Sequence, residues 1–121
     1  MTELLLFWLF TKHLIVDFPL QAFPYQYKNK GTYGHPGGLL HSGLHMVATF
    51  LVLFFFVDVK TAFLLSLLDG VVHYHIDWAK MNINKKTGWG PTTHEQFWWL
   101  LGLDQYLHAL TYIGISLLVF K

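Results

Sequence analysis

The stretch LLHSGLHMVATFLVLFFFV, residues Leu39–Val57, decides the fold that the sequence predicts. Its apolar residues continue for about the 20 positions that a helix needs to cross the hydrocarbon core of a bilayer. Comparable runs occupy residues 61–80 and 95–120, and a fourth run, interrupted by polar residues, occupies residues 2–18. Turn-forming or polar segments at 21–38, 58–60 and 81–93 separate the runs. The sequence therefore predicts a single all-α domain, residues 1–121, folded as a four-helix transmembrane bundle.

The composition favours the same class of protein. Hydrophobic residues make up 54% of the chain and charged residues 12%, about half the charged share of a soluble domain. The chain has no cysteine, which excludes disulfides, thiolate nucleophiles and cysteine-type zinc sites. The first run carries Glu3 in place of basic residues and has polar residues inside it, which is untypical of a signal peptide. We interpret it as a retained span.

The lysines predict the orientation of the bundle. Five of them lie on the side of the first and third loops, and two lie on the side of the termini and the tight turn. The positive-inside rule then puts the first and third loops in the cytoplasm and both termini outside, in a bacterial or host inner membrane. The two sets are Lys28, Lys30, Lys80, Lys85 and Lys86 against Lys60 and Lys121.

Each predicted helix carries one pair of candidate metal ligands spaced four residues apart, and such residues lie on one face of a helix. The order within the pair is His then Asp in the first and third helices and Asp then His in the fourth. Because the fourth helix runs in the opposite direction, this reversal places the histidines of these pairs at one depth in the membrane and the aspartates at another. All four pairs lie near the cytoplasmic boundary. The sequence thus predicts one intramembrane site, lined by His13, Asp17, His41, His45, His73, Asp77, Asp104 and His108.

Eight ligands are too many for one ion, so we expect two divalent metal ions. Histidine and carboxylate without sulfur suit zinc, iron or manganese, and we favour zinc. Asp17, Asp77 and Asp104 are the candidate catalytic residues, as bridging ligands or bases. The alternative for the whole set is a buried polar network or proton relay.

Four further residues are candidates for a supporting or substrate-binding role. Asp69 precedes His73 by one turn and could orient its imidazole, or could instead form a helix-packing hydrogen bond. Gln21 and Gln105 flank the ligand pairs. Lys80 could bind an anionic substrate or extend to lipid headgroups.

The motifs resemble those of a family of small, uncharacterised membrane proteins of bacteria and their phages, known only as a domain of unknown function. The matching segments read HLIVDFPLQ (13–21), HSGLH (41–45), HYHIDWAK (73–80) and DQYLH (104–108). This resemblance implies that the eight ligands, Gln21, Lys80 and Gln105 matter, and it implies no particular reaction. A more distant similarity is to predicted membrane-bound metal-dependent hydrolases.

The leading functional hypothesis is a metal-dependent hydrolase that acts on a lipid-linked, anionic substrate at headgroup depth. Alternatives are a metal-ion or proton transporter, a di-iron or haem redox protein, and a phage factor that alters the host envelope. Membrane lipid is the expected partner, and a homo-oligomer would be compatible with the transporter. Loop lysines among aromatic residues favour anionic lipid over nucleic acid.

Overall fold

The computed structural model describes residues 1–121 and contains helices and no strands, so the all-α prediction is confirmed. Four long helices and one short helix follow one another along the chain, with a 3₁₀ turn at Leu20–Ala22. Their bounds are α1 Thr2–Asp17, α2 Pro24–Tyr27, α3 Pro36–Leu53, α4 Val59–Thr87 and α5 Gln96–Val119.

The helix ends follow from local chemistry. Helix α1 ends at Asp17, two residues before Pro19, because proline lacks the N–H that would continue the helix and its ring clashes with the carbonyl four residues before it. Pro36 occupies the first turn of α3, where its missing N–H is not needed. Asp58 caps α4 by accepting the Thr61 backbone N–H at 3.1 Å, and α4 stops at Gly88, whose φ of 74° suits glycine.

The observed bounds differ from the predicted ones in three places. Helix α4 does not end near Lys80 but continues to Thr87, so residues 81–87 are helical and not part of a loop. The predicted loop 21–38 contains helix α2 and the first turn of α3. Helix α3 ends at Leu53, four residues before Val57. In the first two places polar and turn-forming residues suggested a loop, but such residues also occur on an exposed helix surface. In the third place the apolar residues 54–57 suggested a continuing helix, but they form the turn that precedes α4.

The four long helices form a closed ring, in which α1 contacts α3 and α5, and α4 contacts the same two helices. The interior of the ring has two halves. The half next to the termini holds an apolar cluster, and the half next to α2 holds polar side chains. The apolar cluster consists of Leu5, Leu9, Leu53, Ala62, Tyr112 and Ile115.

Two adjacent glycines at the start of α3 allow the first loop to pack directly against the bundle. A Cβ atom at Gly37 would clash with the Tyr25 carbonyl oxygen, and one at Gly38 would lie 3.0 Å from the Lys30 Cα atom. With glycine at both positions, the first loop can approach α3 this closely. Lys30 therefore lies over the polar half of the bundle and is 5% exposed.

Only α3 is both long enough and apolar enough to meet a length-and-hydropathy criterion for a membrane span. The prediction of four spans is therefore not supported for the other three long helices by this criterion. Helix α1 has 16 residues, and α4 and α5 contain the charged and histidine side chains of the polar half, which lower their hydropathy.

Candidate metal centre

Every long helix presents one polar stripe to the interior, with successive members four residues apart. The stripes converge in the polar half of the ring because α1, α3, α4 and α5 surround it. All eight side chains that the sequence predicts as ligands are at most 8% exposed. The stripes are His13–Asp17 in α1, His41–His45–Thr49 in α3, Asp69–His73–Asp77 in α4 and Asp104–His108–Tyr112 in α5.

One group of potential ligand atoms surrounds the Asp17 carboxylate. The Oδ1 atom of Asp17 lies 3.0 Å from Nε2 of His41, 2.8 Å from Nε2 of His45 and 3.6 Å from Nε2 of His73. The Nε2 atoms of His41 and His73 are 3.2 Å apart. All four ligand atoms lie within 4.8 Å of one another.

A second group comprises His73, Asp77 and His108. The Asp77 carboxylate separates the two imidazoles, with Oδ2 at 3.0 Å from Nε2 of His73 and Oδ1 at 3.2 Å from Nε2 of His108. Its Oδ2 atom is also 3.3 Å from Nε2 of His41. His73 and Asp77 therefore connect the second group to the first.

These separations suit a metal coordination sphere. Two nitrogens bound to zinc at about 2.0–2.1 Å in tetrahedral geometry are separated by about 3.3 Å. The separation of 3.2 Å between the His41 and His73 Nε2 atoms is close to that value. The buried histidine and aspartate groups could therefore hold metal ions with little rearrangement of the side chains.

Two of the predicted ligands, His13 and Asp104, lie outside both groups. Both ring nitrogens of His13 already have partners, since Nδ1 is 2.7 Å from the Tyr112 hydroxyl and Nε2 is 2.9 Å from Oε1 of Gln105. The Oδ1 atom of Asp104 lies 3.5 Å from Nε2 of His108 and is buried without a hydrogen-bond partner. Asp104 is thus at the edge of the second group, and His13 supports the first.

Three lysines are buried in the same interior, and each one pairs with an aspartate. Burying a charge is costly unless a partner compensates for it. The pairs are Lys12–Asp69 at 3.0 Å, Lys30–Asp77 at 3.5 Å and Lys80–Asp104 at 3.4 Å. Among the four buried aspartates, only Asp17 lacks a lysine partner, so its negative charge is the one most available to a cation.

The lysine pairs change the roles expected for two residues. Asp69 makes no hydrogen bond to His73 and takes the second of its two expected roles, hydrogen bonding between helices. It accepts hydrogen bonds from Lys12 at 3.0 Å and from the Thr49 hydroxyl at 2.5 Å. Lys80 is 9% exposed and does not extend to the surface. Lys30, which the sequence marked only as a loop lysine, is equally enclosed, and burial lowers its pKa while the nearby Asp77 carboxylate opposes that shift.

Side chains behind the imidazoles distinguish His41 from His45. Gln26 donates its Nε2–H to the Leu20 carbonyl at 3.0 Å, which turns its Oε1 atom toward Nδ1 of His41 at 3.3 Å. Nδ1 of His41 can then donate, and its Nε2 lone pair is free for a metal. In contrast, the Lys12 ammonium donates to Nδ1 of His45 at 2.9 Å, so Nε2 of His45 carries the ring proton and donates it to Asp17.

The two flanking glutamines behave differently from each other. Gln105 donates from Nε2 to Asp17 at 3.2 Å and to Asp104 at 3.1 Å, and so links the two carboxylates. Gln21 donates to the Asp17 backbone carbonyl at 2.6 Å, which satisfies the end of α1, and its side chain makes no contact with a ligand atom. His75, which is spaced four residues from neither His41 nor His73 and is not among the predicted ligands, is exposed, and its Nε2 atom lies 2.9 Å from the Tyr33 hydroxyl.

Several residues of the centre were missed by the sequence reasoning. Thr49 and Tyr112 each follow a predicted histidine by four residues, so extending each stripe by one turn would have found them. Lys30 and Gln26 lie in the first loop and its short helix, and no periodicity marks them. They reach the centre only through the packing of that loop on α3.

Residues 5–121 match the family described as "Protein of unknown function (DUF3307)". The chain belongs to this family. The expectation of an uncharacterised family with a domain of unknown function is thereby confirmed. No curated protein and no solved structure matches the chain.

Proposed function

We propose that this chain is a membrane-embedded, metal-dependent hydrolase. The distribution of polarity supports the membrane location, because more than half of the 28 buried residues are polar or charged. Large apolar side chains are exposed on every long helix, among them Phe7, Leu51, Leu64 and Leu117. A surface of this kind is favourable against lipid and unfavourable in water.

The orientation proposed from the lysine count puts the metal centre at the cytoplasmic boundary. The centre lies at the end of the bundle where α1 ends and α5 begins, next to the first loop. Trp98 and Trp99, exposed in the first turn of α5, suit the headgroup level of a bilayer. Ligands at this end would face the depth at which the ester and phosphate bonds of a lipid lie.

The observation that carries the metal assignment is the pair of ligand groups connected through His73 and Asp77. Each imidazole nitrogen can bind only one ion, so each ligand would belong to one of two separate ion sites. Asp17, His41 and His73 would hold the first ion, and His108 would hold the second. Asp77 would contribute to both sites, because one of its oxygens lies 3.0 Å from Nε2 of His73 and the other lies 3.2 Å from Nε2 of His108. We favour zinc for both.

A two-metal centre supplies the chemistry of hydrolysis. Metal coordination lowers the pKa of a bound water to about 7 and stabilises charge on the attacking and leaving oxygens. Within the protein, Asp104 has a buried oxygen without a hydrogen-bond partner beside the less filled second site. Asp104 is therefore our candidate to accept the proton of an attacking water, while Asp17 and Asp77 hold the ions.

The test uses the full chain in lipid nanodiscs, with metal content and hydrolysis measured on the same preparation. We expect about two zinc ions per chain, and release of phosphate or fatty acid from a panel of phospholipids. His41→Asn should lose zinc and hydrolysis together. His94→Asn, which changes an exposed histidine, should retain both. A preparation that binds no more metal than His41→Asn contradicts the metal centre, and iron with visible absorbance would favour redox chemistry over hydrolysis.

One observation favours a proton-relay or transport function as the second candidate. Asp69, Lys12, His45 and Asp17 form an unbroken chain of contacts, with separations of 3.0, 2.9 and 2.8 Å. The apolar cluster closes the half of the bundle beyond this chain, so a continuous path would need a second subunit. Proton or zinc uptake into sealed vesicles that contain the protein would support transport, and its absence in vesicles with active protein would exclude it.

A further inference from the structure

Two cavities meet at Lys80, and their chemistries differ. The first, the loop cavity, has a volume of about 270 Å³ and is lined by Tyr27, Lys30, Lys80, Met81, Asn84, Phe97 and Leu101. The second, the α4–α5 groove, has a volume of about 480 Å³. Its walls are mainly apolar, with Lys80 and Asp104 as its charged members.

The loop cavity presents two buried cations and an unpartnered polar atom. Lys30 is 5% exposed and Lys80 is 9% exposed, so water compensates little of their charge. The Oδ1 atom of Asn84 is buried without a hydrogen-bond partner, and rotation of the amide group would turn its Nδ2 donor toward an anion. Each ammonium has one aspartate partner at 3.4–3.5 Å and retains further N–H donors. A phosphate group in this cavity would receive hydrogen bonds from two charged donors, the strongest kind available to it.

The α4–α5 groove is suited to a hydrocarbon chain. Val72, Ile76, Ala79, Leu103 and Leu107 are among its lining residues. Leu103 is 51% exposed and Leu107 is 37% exposed, so the groove is open along the outside of the bundle, where lipid would surround it. It leads to Lys80 and Asp104 and therefore joins the lipid-facing surface to the loop cavity.

We infer that Lys30 and Lys80 bind the phosphate headgroup of a membrane phospholipid whose acyl chain lies in the α4–α5 groove. The inference rests on the proposed function, since it names the substrate class of that centre. A phosphate between these lysines lies next to Asp77 and Asp104, which the same two ammonium groups contact. The apolar groove supplies the preference for a lipid over a free anion.

Lipid retention provides a readout that is independent of activity. The full chain is purified in a phosphate-free detergent and supplied with equal amounts of phosphatidic acid and diacylglycerol, and the retained lipid is measured by native mass spectrometry. We expect phosphatidic acid to be retained about 100-fold over diacylglycerol, because diacylglycerol loses the hydrogen bonds from both ammonium groups and each such bond is worth about tenfold. Equal retention of the two lipids would overturn the inference.

Matched variants assign the retention to the two cavities. Lys30→Met and Lys80→Met should each reduce phosphatidic acid retention about tenfold, whereas Lys28→Met and Lys86→Met, at exposed positions, should not. Ala79→Phe should reduce retention by filling the groove without changing a charge. Equal losses for exposed and buried lysines, or full retention in Ala79→Phe, would overturn the inference. Displacement of the lipid by millimolar inorganic phosphate alone would also overturn it, since the acyl chain would then contribute nothing.

Zinc content, measured on the same samples, separates this inference from the proposed function. The lysine variants keep every proposed ligand, so we expect them to keep their zinc, which also reports that the centre is folded. Selective retention of phosphatidic acid by a protein without metal would leave the lipid site intact and contradict the hydrolase. Zinc binding without lipid selectivity would contradict the lipid site and leave the proposed metal centre intact.

Discussion

Replacing Asp17 by asparagine is the most direct test of the first ligand group. The Asp17 carboxylate contacts three histidine Nε2 atoms at 2.8–3.6 Å and is the buried aspartate without a lysine partner. Asparagine keeps the size and one carbonyl oxygen but removes the negative charge. We therefore expect Asp17→Asn to bind zinc more weakly than any variant at a supporting position.

The size of the effect follows from linkage between binding and folding. Loss of a supporting partner weakens metal sites about 10–100-fold, so we take about 100-fold as the minimum for Asp17 itself. At free zinc of 100 times the wild-type Kd, binding stabilises the wild type by about 2.7 kcal/mol. The same zinc concentration stabilises a site with 100-fold weaker affinity by about 0.4 kcal/mol. At this zinc concentration, the stabilisation by zinc should thus be about 2.3 kcal/mol smaller for Asp17→Asn than for the wild type.

The assay compares the free energy of unfolding at free zinc of about 100 times the wild-type Kd with that in a chelator, for purified protein in detergent. Any loss of hydrogen bonds in Asp17→Asn is present in both conditions and cancels in the difference. Asp58→Asn is the matched control, because Asp58 caps α4 at the other end of the bundle and asparagine caps a helix equally well.

Three results would refute the reasoning. Zinc that stabilises Asp17→Asn as much as the wild type would show that the Asp17 charge does not hold the ion. Zinc that stabilises neither protein would show that the interior is a polar network without a metal. A zinc effect lost equally in Asp58→Asn would indicate nonspecific binding to carboxylates.

Three further outcomes are expected. Gly37→Ala should destabilise the protein by about 1–3 kcal/mol through overpacking against α2, whereas Gly43→Ala, with open space around the new Cβ, should be neutral or stabilising in the same denaturant titration. Lys12→Met should lower the free energy of unfolding by about 3–5 kcal/mol because Asp69 is left buried and unpaired, and adding Asp69→Leu should restore much of it, as a double-mutant cycle would measure. A cysteine in Lys28→Cys should react with an impermeant thiol reagent only from the cytoplasmic side, and labelling from outside in intact cells would reverse the proposed orientation.

Sequence periodicity was sufficient to predict the polar stripes of the four long helices. A spacing of four residues places His41 with His45, or Asp104 with His108, on one helix face whatever the surroundings. The same rule, extended by one turn, reaches Thr49. The all-α fold follows from equally local information, namely the length of the apolar runs and the prolines and glycines between them.

Tertiary packing decided which side chains meet within the centre. The sequence could not distinguish His41 from His45, because the difference lies in Gln26 behind one ring and Lys12 behind the other. Nor could it separate His13 from the central ligands, since Gln105 and Tyr112 approach it from α5. These partners come from other helices, and their approach depends on how the helices are rotated and spaced.

The same distinction explains the lysines. By itself, the sequence determined that lysines are scarce and concentrated around the first and third loops. Only the tertiary structure decided that Lys30 and Lys80 turn inward to Asp77 and Asp104. For Lys30, the reason is the close approach of the first loop to α3, which the absent side chain of Gly38 permits. A buried charge requires a partner, and the partner's position is a property of packing that no local pattern records.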